Sequence, residues 1–243
     1  MTTWSGIETA DADAGQRRPM SFAVERWLWL VALLVLAMVV VGGATRLTGS
    51  GLSITQWQPI MGAVPPLSDA AWLEAFGRYQ QIPQYTQLNR GMSLAEFKGI
   101  FWWEWGHRLL GRLVGVAFAV PLAWFWWQGA IGRRLRMQLL GLLALGGLQG
   151  AIGWYMVQSG LVERVSVSQY RLALHLGMAI LIFGLLVWIA LDQRGGQRDT
   201  GTGAAVNPGQ WRLGLALPAL VFAQIILGAF VAGLKAEIGR AHV

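Results

Sequence analysis

Five long apolar segments constrain this chain more than any other feature of its sequence. Each has roughly the 20 residues that an α-helix needs to cross a bilayer core of about 30 Å. They lie at residues 27–44, 107–127, 135–155, 172–191 and 213–234. With 55% hydrophobic and 13% charged residues, the chain carries more apolar surface than a soluble domain can hide. The sequence therefore predicts an all-α integral membrane fold with five transmembrane helices and the lipid bilayer as its solvent.

The net charge of +7 comes mostly from arginines in the segments between the apolar ones. Basic residues there mark the cytoplasmic side of a membrane protein rather than a nucleic-acid interface. These arginines are Arg17, Arg18, Arg26, Arg133, Arg134, Arg136, Arg194, Arg198 and Arg212. They predict a multi-pass protein with a cytoplasmic N-terminus, outer segments at residues 45–106 and 156–171, and no nucleic-acid partner.

The polar segments divide the chain. Residues 1–25 lack the apolar core and cleavage site of a signal peptide, so we expect a disordered cytoplasmic tail. Residues 26–192 then form a unit of four membrane helices, residues 193–211 a cytoplasmic linker, and residues 212–236 one further membrane helix.

The outer loop at residues 45–106 is too long for a simple connector. Ser68 can cap a short helix whose aromatic residues recur at helical spacing. These aromatic residues are Trp72, Phe76 and Tyr79. Residues 93–96 read Ser-Leu-Ala-Glu, a capping box that predicts the start of the second membrane helix near Leu94.

Two of the three histidines, His107 and His175, lie in membrane segments, where a titratable side chain is costly and indicates function. About 30 Å of helix follows His107 before Trp127, and roughly 24 Å follows His175 before Leu191, so the two rings have similar depths in the outer half of the membrane. Two imidazoles at matched depth favour axial ligation of a haem iron. The alternative is an interfacial histidine that bonds a carbonyl or a lipid headgroup. The absence of cysteine excludes disulfides, thiolate metal sites and covalent haem attachment.

Charged residues surround the first of these histidines. Glu104 lies three residues before His107 on the same helix face, where it can orient the imidazole, bind a reacting intermediate or relay protons. The alternative is an ion pair with Arg108 at i+4. Arg108, Arg112 and Arg171 can neutralise haem propionates, although Arg112 can equally extend towards the membrane surface.

Glycines follow His107 and line the third membrane helix, where they either let helices approach or leave room for a flat ligand. They are Gly111, Gly115, Gly146, Gly150 and Gly153. A weak internal repeat relates this helix to the fifth, because Gln149 and Gly153 are in register with Gln224 and Gly228.

Three stretches resemble the haem A synthase family, in its cysteine-free mitochondrial and proteobacterial form. They are VGGATRLTGSGLS at residues 41–53, EFKGIFWWEWGHRLLGR at residues 96–112 and YRLALHL at residues 170–176. The resemblance extends from about residue 26 to residue 236. It implies an eight-helix protein of two similar four-helix halves, located in the bacterial inner membrane, which oxidises a methyl group of haem O to the formyl group of haem A for cytochrome oxidase.

The resemblance also implies roles for particular residues. His107 and His175 match the histidine pair of the first half, which would hold the iron of the substrate haem O, and Glu104 matches the essential acidic position. A haem b is expected in the second half. Haem O synthase and an unidentified electron donor are implied as partners, and a homo-oligomer is compatible with the family.

The chain departs from the family pattern by stopping in the fifth helix. The second histidine pair is absent, so we expect that the chain as given is unable to complete the reaction. Residues 237–243 replace the family's continuation and are expected to be a non-native tail, so His242 is not a candidate ligand.

Two other functions use the same residues differently. A b-type cytochrome or haem carrier would need His107 and His175 but not Glu104. A transporter or assembly subunit with interfacial polar residues would bind no haem.

Overall fold

The computed structural model describes residues 5–162, 164–195 and 208–234. These residues form seven α-helices and a 3₁₀ turn at Met61–Ala63. The helices are α1 (Ser5–Leu47), α2 (Asp69–Tyr79), α3 (Pro83–Gln87), α4 (Leu94–Trp127), α5 (Arg133–Leu161), α6 (Gln169–Gly195) and α7 (Pro208–Gly233). Five described segments are long and apolar enough to cross a membrane: Phe22–Leu47, Leu94–Trp127, Arg133–Leu161, Gln169–Arg194 and Trp211–Gly233. The predicted all-α membrane fold and its five spans are confirmed.

The ends of the chain differ from the sequence prediction or lie outside the described residues. Helix α1 already begins at Ser5, which differs from the disordered tail predicted for residues 1–25. Residues 196–207 of the predicted linker lie outside the described residues. So do residues 235–243, which include His242 and the expected non-native tail.

Two predicted helix starts are confirmed by their capping hydrogen bonds. The Ser68 side chain accepts a hydrogen bond from the Ala71 N–H at the start of α2. At the start of α4, the Ser93 hydroxyl accepts from the Glu96 N–H and the Glu96 carboxylate accepts from the Ser93 N–H, which is a complete capping box.

Four helices close into a ring. Helix α1 packs against α4 and α6, and α5 packs against α6 and α4, so α4 and α6 face each other across the bundle, as do α1 and α5. Helix α7 lies outside the ring against α6. There a Cβ added at Gly177 would come within 2.8 Å of Ile226 Cδ1. Helices α6 and α7 are therefore in close contact at Gly177.

A proline in α4 is compensated by a tryptophan of α1. Pro121 has no N–H, so the carbonyl of Ala117, four residues earlier, loses its helical donor. The Trp27 indole N–H donates to this carbonyl at 2.8 Å, and its ring packs against Phe118 and Phe125. Trp27 is thus a buried contact between two helices.

The buried apolar residues form two separate clusters. One lies at the end of the bundle that contains the α4–α5 connection, and includes Val31, Leu122, Leu139 and Leu186. The other lies at the opposite end, called here the loop end because it carries α2 and α3, and is centred on Phe97. The apolar core is therefore interrupted between the two ends.

A polar network fixes the loop end around Tyr79, whose side chain is fully buried. The Tyr79 hydroxyl accepts from Asn89 Nδ2 at 2.7 Å and donates to Gln84 Oε1 at 3.3 Å. Gln84 Nε2 in turn donates to the Gly49 carbonyl at 2.9 Å, which ties α3 to the turn that follows α1.

Burial raises the pKa of Tyr79 above its usual value of 10.0, and the hydrogen bond from Asn89 only partly opposes this. Because the folded state holds the phenol proton more tightly than the unfolded chain does, this stabilisation is present below pH 10 and is lost as the pH rises through the raised pKa. We expect a late step in a tyrosinate absorbance titration, and its loss in Tyr79→Phe. An unchanged titration above pH 10 in that variant would contradict the assignment.

Candidate functional site

The break in the apolar core coincides with the two candidate ligands. Along α4, His107 lies between Trp105 of the loop-end cluster and Val114 of the other cluster. Similarly, His175 of α6 lies between Val167, which precedes α6 and belongs to the loop-end cluster, and Met178 of the other cluster. We call this level the histidine layer, and its members are Gly42, His107, Gln149, Gly153 and His175. Since α4 and α6 face each other across the ring, the two imidazoles enter the same layer from opposite helices.

Each imidazole lies against a glycine of a neighbouring helix. A Cβ added at Gly42 of α1 would lie 3.1 Å from Nε2 of His107. A Cβ added at Gly153 of α5 would lie 2.9 Å from Cε1 and 3.4 Å from Nδ1 of His175. The missing side chains at these two glycines therefore provide the space in which the rings sit.

Gln149 of α5 extends the site towards the end of the bundle that contains the α4–α5 connection. Its Nε2 donates to the backbone carbonyl of His175 at 3.0 Å. The Oε1 atom of Gln149 and the Nδ1 atom of His175 are both buried without a hydrogen-bond partner. Buried polar atoms are rarely left unpaired, so these two atoms indicate that the layer accommodates a further polar group.

The donor set fits a haem iron better than a bare metal ion. Among the described residues, no three His, Asp or Glu side chains are grouped so that they could hold one ion. A haem supplies its own in-plane ligands and needs only axial ones, for which imidazole is well suited. Two imidazoles, one with an unpaired buried nitrogen, and a cradle that a Cβ would fill meet this requirement.

Glu104 lies next to this layer, and its side chain is almost fully buried. Its Oε2 accepts hydrogen bonds from the Ser53 hydroxyl at 2.7 Å and from the Ile54 N–H at 2.8 Å. Its Oε1 pairs with Nη2 of Arg108 at 2.5 Å. The i+4 ion pair considered from the sequence is therefore present, and it forms one part of a larger network.

Residues 53–62, called here the strap, are held against α4 by this network. Arg108 donates to the carbonyls of Ile54 and Gln56 at 2.8 and 3.1 Å. One turn further along α4, Arg112 donates to the carbonyls of Gln58 and Pro59 at 2.9 and 2.8 Å. Glu104, Arg108 and Arg112 thus form one stripe of α4 that satisfies the backbone of the strap.

The strap also reaches α5. The rings of Trp57 and Trp154 pack with their centroids 5.2 Å apart, and the Arg108 guanidinium lies 5.9 Å from the Trp154 ring centroid. Because Trp154 directly follows Gly153, the strap lies close to the histidine layer from the loop end.

The three arginines predicted to neutralise haem propionates differ in how many of their guanidinium N–H groups already have partners. The charge of Arg108 is compensated by Glu104. Arg112 keeps one buried nitrogen, Nη1, without a partner. Arg171, one helical turn before His175, donates to the Tyr155 carbonyl at 2.7 Å and stacks on the Tyr155 ring. Arg112 and Arg171 therefore retain more capacity for an anion than Arg108 does.

Sequence reasoning identified the histidines, Glu104 and the arginines but assigned no role to Ser53, Gln149 or Gly42. Ser53 and Gly42 lie in the glycine-rich stretch at residues 41–53, which begins inside the first span, and Gln149 lies in the weak repeat. Those patterns singled out the segments, but only the folded chain shows that they contact Glu104, His175 and His107.

Comparison with known proteins gives an independent result. The family model described as cytochrome oxidase assembly protein matches residues 25–240. The heme A synthase of Maricaulis maris is 55% identical over 216 residues, which is 89% of this chain and 62% of that protein. The heme A synthase of Mesorhizobium japonicum is 59% identical over 215 residues, which is 88% of this chain and 58% of that protein. No solved structure matches the chain.

The chain spans about three fifths of the length of these relatives. The heme A synthase of Methylorubrum extorquens matches 98% of the chain at 54% identity, again over 62% of its own length. Because the family match covers all five spans and both histidines, the resemblance read from the sequence is confirmed: the chain belongs to the haem A synthase family of cytochrome oxidase assembly proteins.

Proposed function

We propose that this chain carries the haem O-binding half of a haem A synthase, an enzyme that oxidises a methyl group of haem O to the formyl group of haem A. The observation that carries the proposal is the histidine layer, where two imidazoles enter an interrupted core from facing helices. The relatives that share the chain's spans are named heme A synthase, which supports the same activity.

In this proposal His107 and His175 would hold the iron of haem O. The unpaired Oε1 of Gln149 and Nδ1 of His175 provide polar contacts beside the ligand. Arg171 and the free nitrogen of Arg112 neutralise the propionates, while Arg108 acts mainly through Glu104 and the strap. The bound haem supplies both the reacting methyl carbon and the iron.

Glu104 assists the conversion through its position at the edge of the layer. Its carboxylate fixes the strap, and its hydrogen bond with the Ser53 hydroxyl offers a short route for a proton. A haem carrier or b-type cytochrome is the second candidate, because every oxygen of Glu104 is already engaged by the strap and Arg108. The carrier would hold haem O without converting it.

The remaining expectations concern the whole protein. The enzyme lies in the bacterial inner membrane with a cytoplasmic N-terminus, which the arginine distribution supports. It receives haem O from haem O synthase and uses an unidentified electron donor. Haem b is bound by a second histidine pair that the described residues do not contain, and a homo-oligomer is compatible with the exposed apolar faces of the helices.

Replacing both candidate ligands should abolish haem binding. We expect haem O to co-purify with the chain expressed beside a haem O source, and to be lost in His107→Ala/His175→Ala because no axial ligand remains. Pyridine-haemochrome spectra and chromatography identify and quantify the haem. The matched control is His242→Ala, which should keep the haem. Equal haem in the double variant and the wild type would contradict the ligand assignment.

Two substitutions of Glu104 distinguish the effect of its negative charge from the effect of its hydrogen bonds and packing. Glu104→Gln keeps an acceptor for the Ile54 N–H but loses the charge, so we expect haem O to remain bound with little or no haem A beside it. Glu104→Ala also leaves Arg108 unpaired, and we expect a loss of about 3 kcal/mol in stability, the scale for breaking a buried ion pair. Chromatography of the bound haems measures the conversion of haem O to haem A. The rate of chymotrypsin cleavage after Trp57, in the strap, measures the loss of stability.

Glu74→Ala breaks an exposed ion pair of the same i,i+4 spacing with Arg78 and serves as the control for cleavage. Unchanged conversion in Glu104→Ala would rule out an assisting role for this carboxylate. Any haem A bound to the wild-type chain would show that this half converts haem O, and would rule out a chain that only carries haem.

A further inference from the structure

The two glycines of the histidine layer differ from nearby glycines on the same helices. A Cβ at Gly43, the residue after Gly42 on α1, would meet no atom within 4 Å. The same is true at Gly150, which lies three residues before Gly153 on α5. General helix packing therefore does not explain why a side chain at Gly42 or Gly153 would collide. The colliding atoms belong to the two candidate ligands.

The two contacts are arranged in the same way around the ring. His107 of α4 meets Gly42 of α1, and His175 of α6 meets Gly153 of α5. Because α4 faces α6 and α1 faces α5, the ligands come from one pair of facing helices and the glycines from the other. Each ring thus lies in a groove between its own helix and a neighbour that offers only backbone.

The distance from an added Cβ to the nearest imidazole atom shows how far each histidine ring would have to move if the glycine carried a side chain. At 2.9 Å from Cε1 of His175, a Cβ on Gly153 is closer than real Cβ contacts, so the ring has to shift. At 3.1 Å from Nε2 of His107, a Cβ on Gly42 would crowd the nitrogen that faces away from the helix backbone. An imidazole moves as one rigid ring about its two side-chain torsions, so relieving either contact changes the orientation of the ring.

We propose that Gly42 and Gly153 are positioning residues, which set the orientation of the His107 and His175 imidazoles by leaving room for each ring against a neighbouring helix. This inference rests on the proposed function in so far as the rings ligate haem. Groups that orient a metal ligand commonly change metal affinity roughly 10- to 100-fold when they are altered. A methyl group at either glycine should act in this range, because it displaces the ligand itself.

The first test compares four alanine variants of the chain expressed with a haem O source. Gly42→Ala and Gly153→Ala should lower haem retention at least about tenfold and convert the low-spin bis-imidazole absorption and electron paramagnetic resonance signals towards high spin. Gly43→Ala and Gly150→Ala add the same methyl group to the same helices where space is open, and should match the wild type. Glycine variants that keep the wild-type spectrum and retention would overturn the proposal.

The second test needs no haem. Alanine is the better helix former, so on propensity alone each variant should be at least as stable as the wild type. We expect Gly153→Ala to lower the melting temperature of the detergent-solubilised chain in the presence of His175 but not in a His175→Ala background, and Gly42→Ala to behave likewise towards His107. This double-mutant cycle isolates the ring contact from general effects of the substitution.

The two tests separate failure of this inference from failure of the proposed function. Haem that does not depend on the histidines would overturn the proposed function, while the cycle still decides whether the glycines position the rings. Additive effects in the cycle would overturn the inference even if the chain binds haem through His107 and His175.

Discussion

The rest of this structure is organised around two imidazoles inside a bilayer-spanning bundle. Polar side chains are expensive at that depth unless they find partners, and His175 keeps a buried nitrogen without one. The apolar core is interrupted at the level of these two imidazoles, and one apolar cluster lies on each side of the histidine layer. A sequence selected for stability alone would fill this layer with apolar side chains. The interruption is therefore the feature that the proposed haem site requires, and apolar clusters pack the bundle on either side of it.

The buried carboxylate of Glu104 is the second polar group whose burial costs free energy. It connects α4 to the residues that follow the first span. Glu104 is compensated by Arg108, a hydroxyl and a backbone N–H, so its charge is nowhere left unpaired. Buried ion pairs contribute little net stability, but they specify one arrangement over others. In this chain the ion pair fixes the path of the strap, whose backbone carbonyls accept hydrogen bonds from Arg108 and Arg112. Glu104 can therefore influence the histidine layer by position as well as by chemistry.

Much of this could be predicted from the sequence because it depends on local patterns. The five spans follow from length and apolarity, and the caps at Ser68 and Ser93 follow from short-range hydrogen bonding. The matched depth of His107 and His175 follows from counting residues along two helices. What sequence could not supply was contact between distant segments. Tryptophans near the ends of membrane spans usually lie at the membrane interface, yet the Trp27 indole is buried in the bundle, where it donates to the Ala117 carbonyl that Pro121 leaves without a helical donor. Likewise Arg108 was expected to meet propionates, yet the strap and Glu104 engage it first.

The weak internal repeat shows why a pattern alone does not define such a site. Gln149 and Gly153 on α5 correspond to Gln224 and Gly228 on α7. On α5 the glutamine bonds the His175 carbonyl and the glycine accommodates the His175 ring. On α7, which lies outside the ring of four helices, Gln224 is exposed and a Cβ at Gly228 would meet nothing within 4 Å. Both α5 and α7 pack against α6, so the same spacing of residues meets the His175 ring only on α5, the helix beside which that ring lies. The geometry of the layer belongs to the pair of helices, because each ring needs both the backbone that carries it and the backbone that leaves it room.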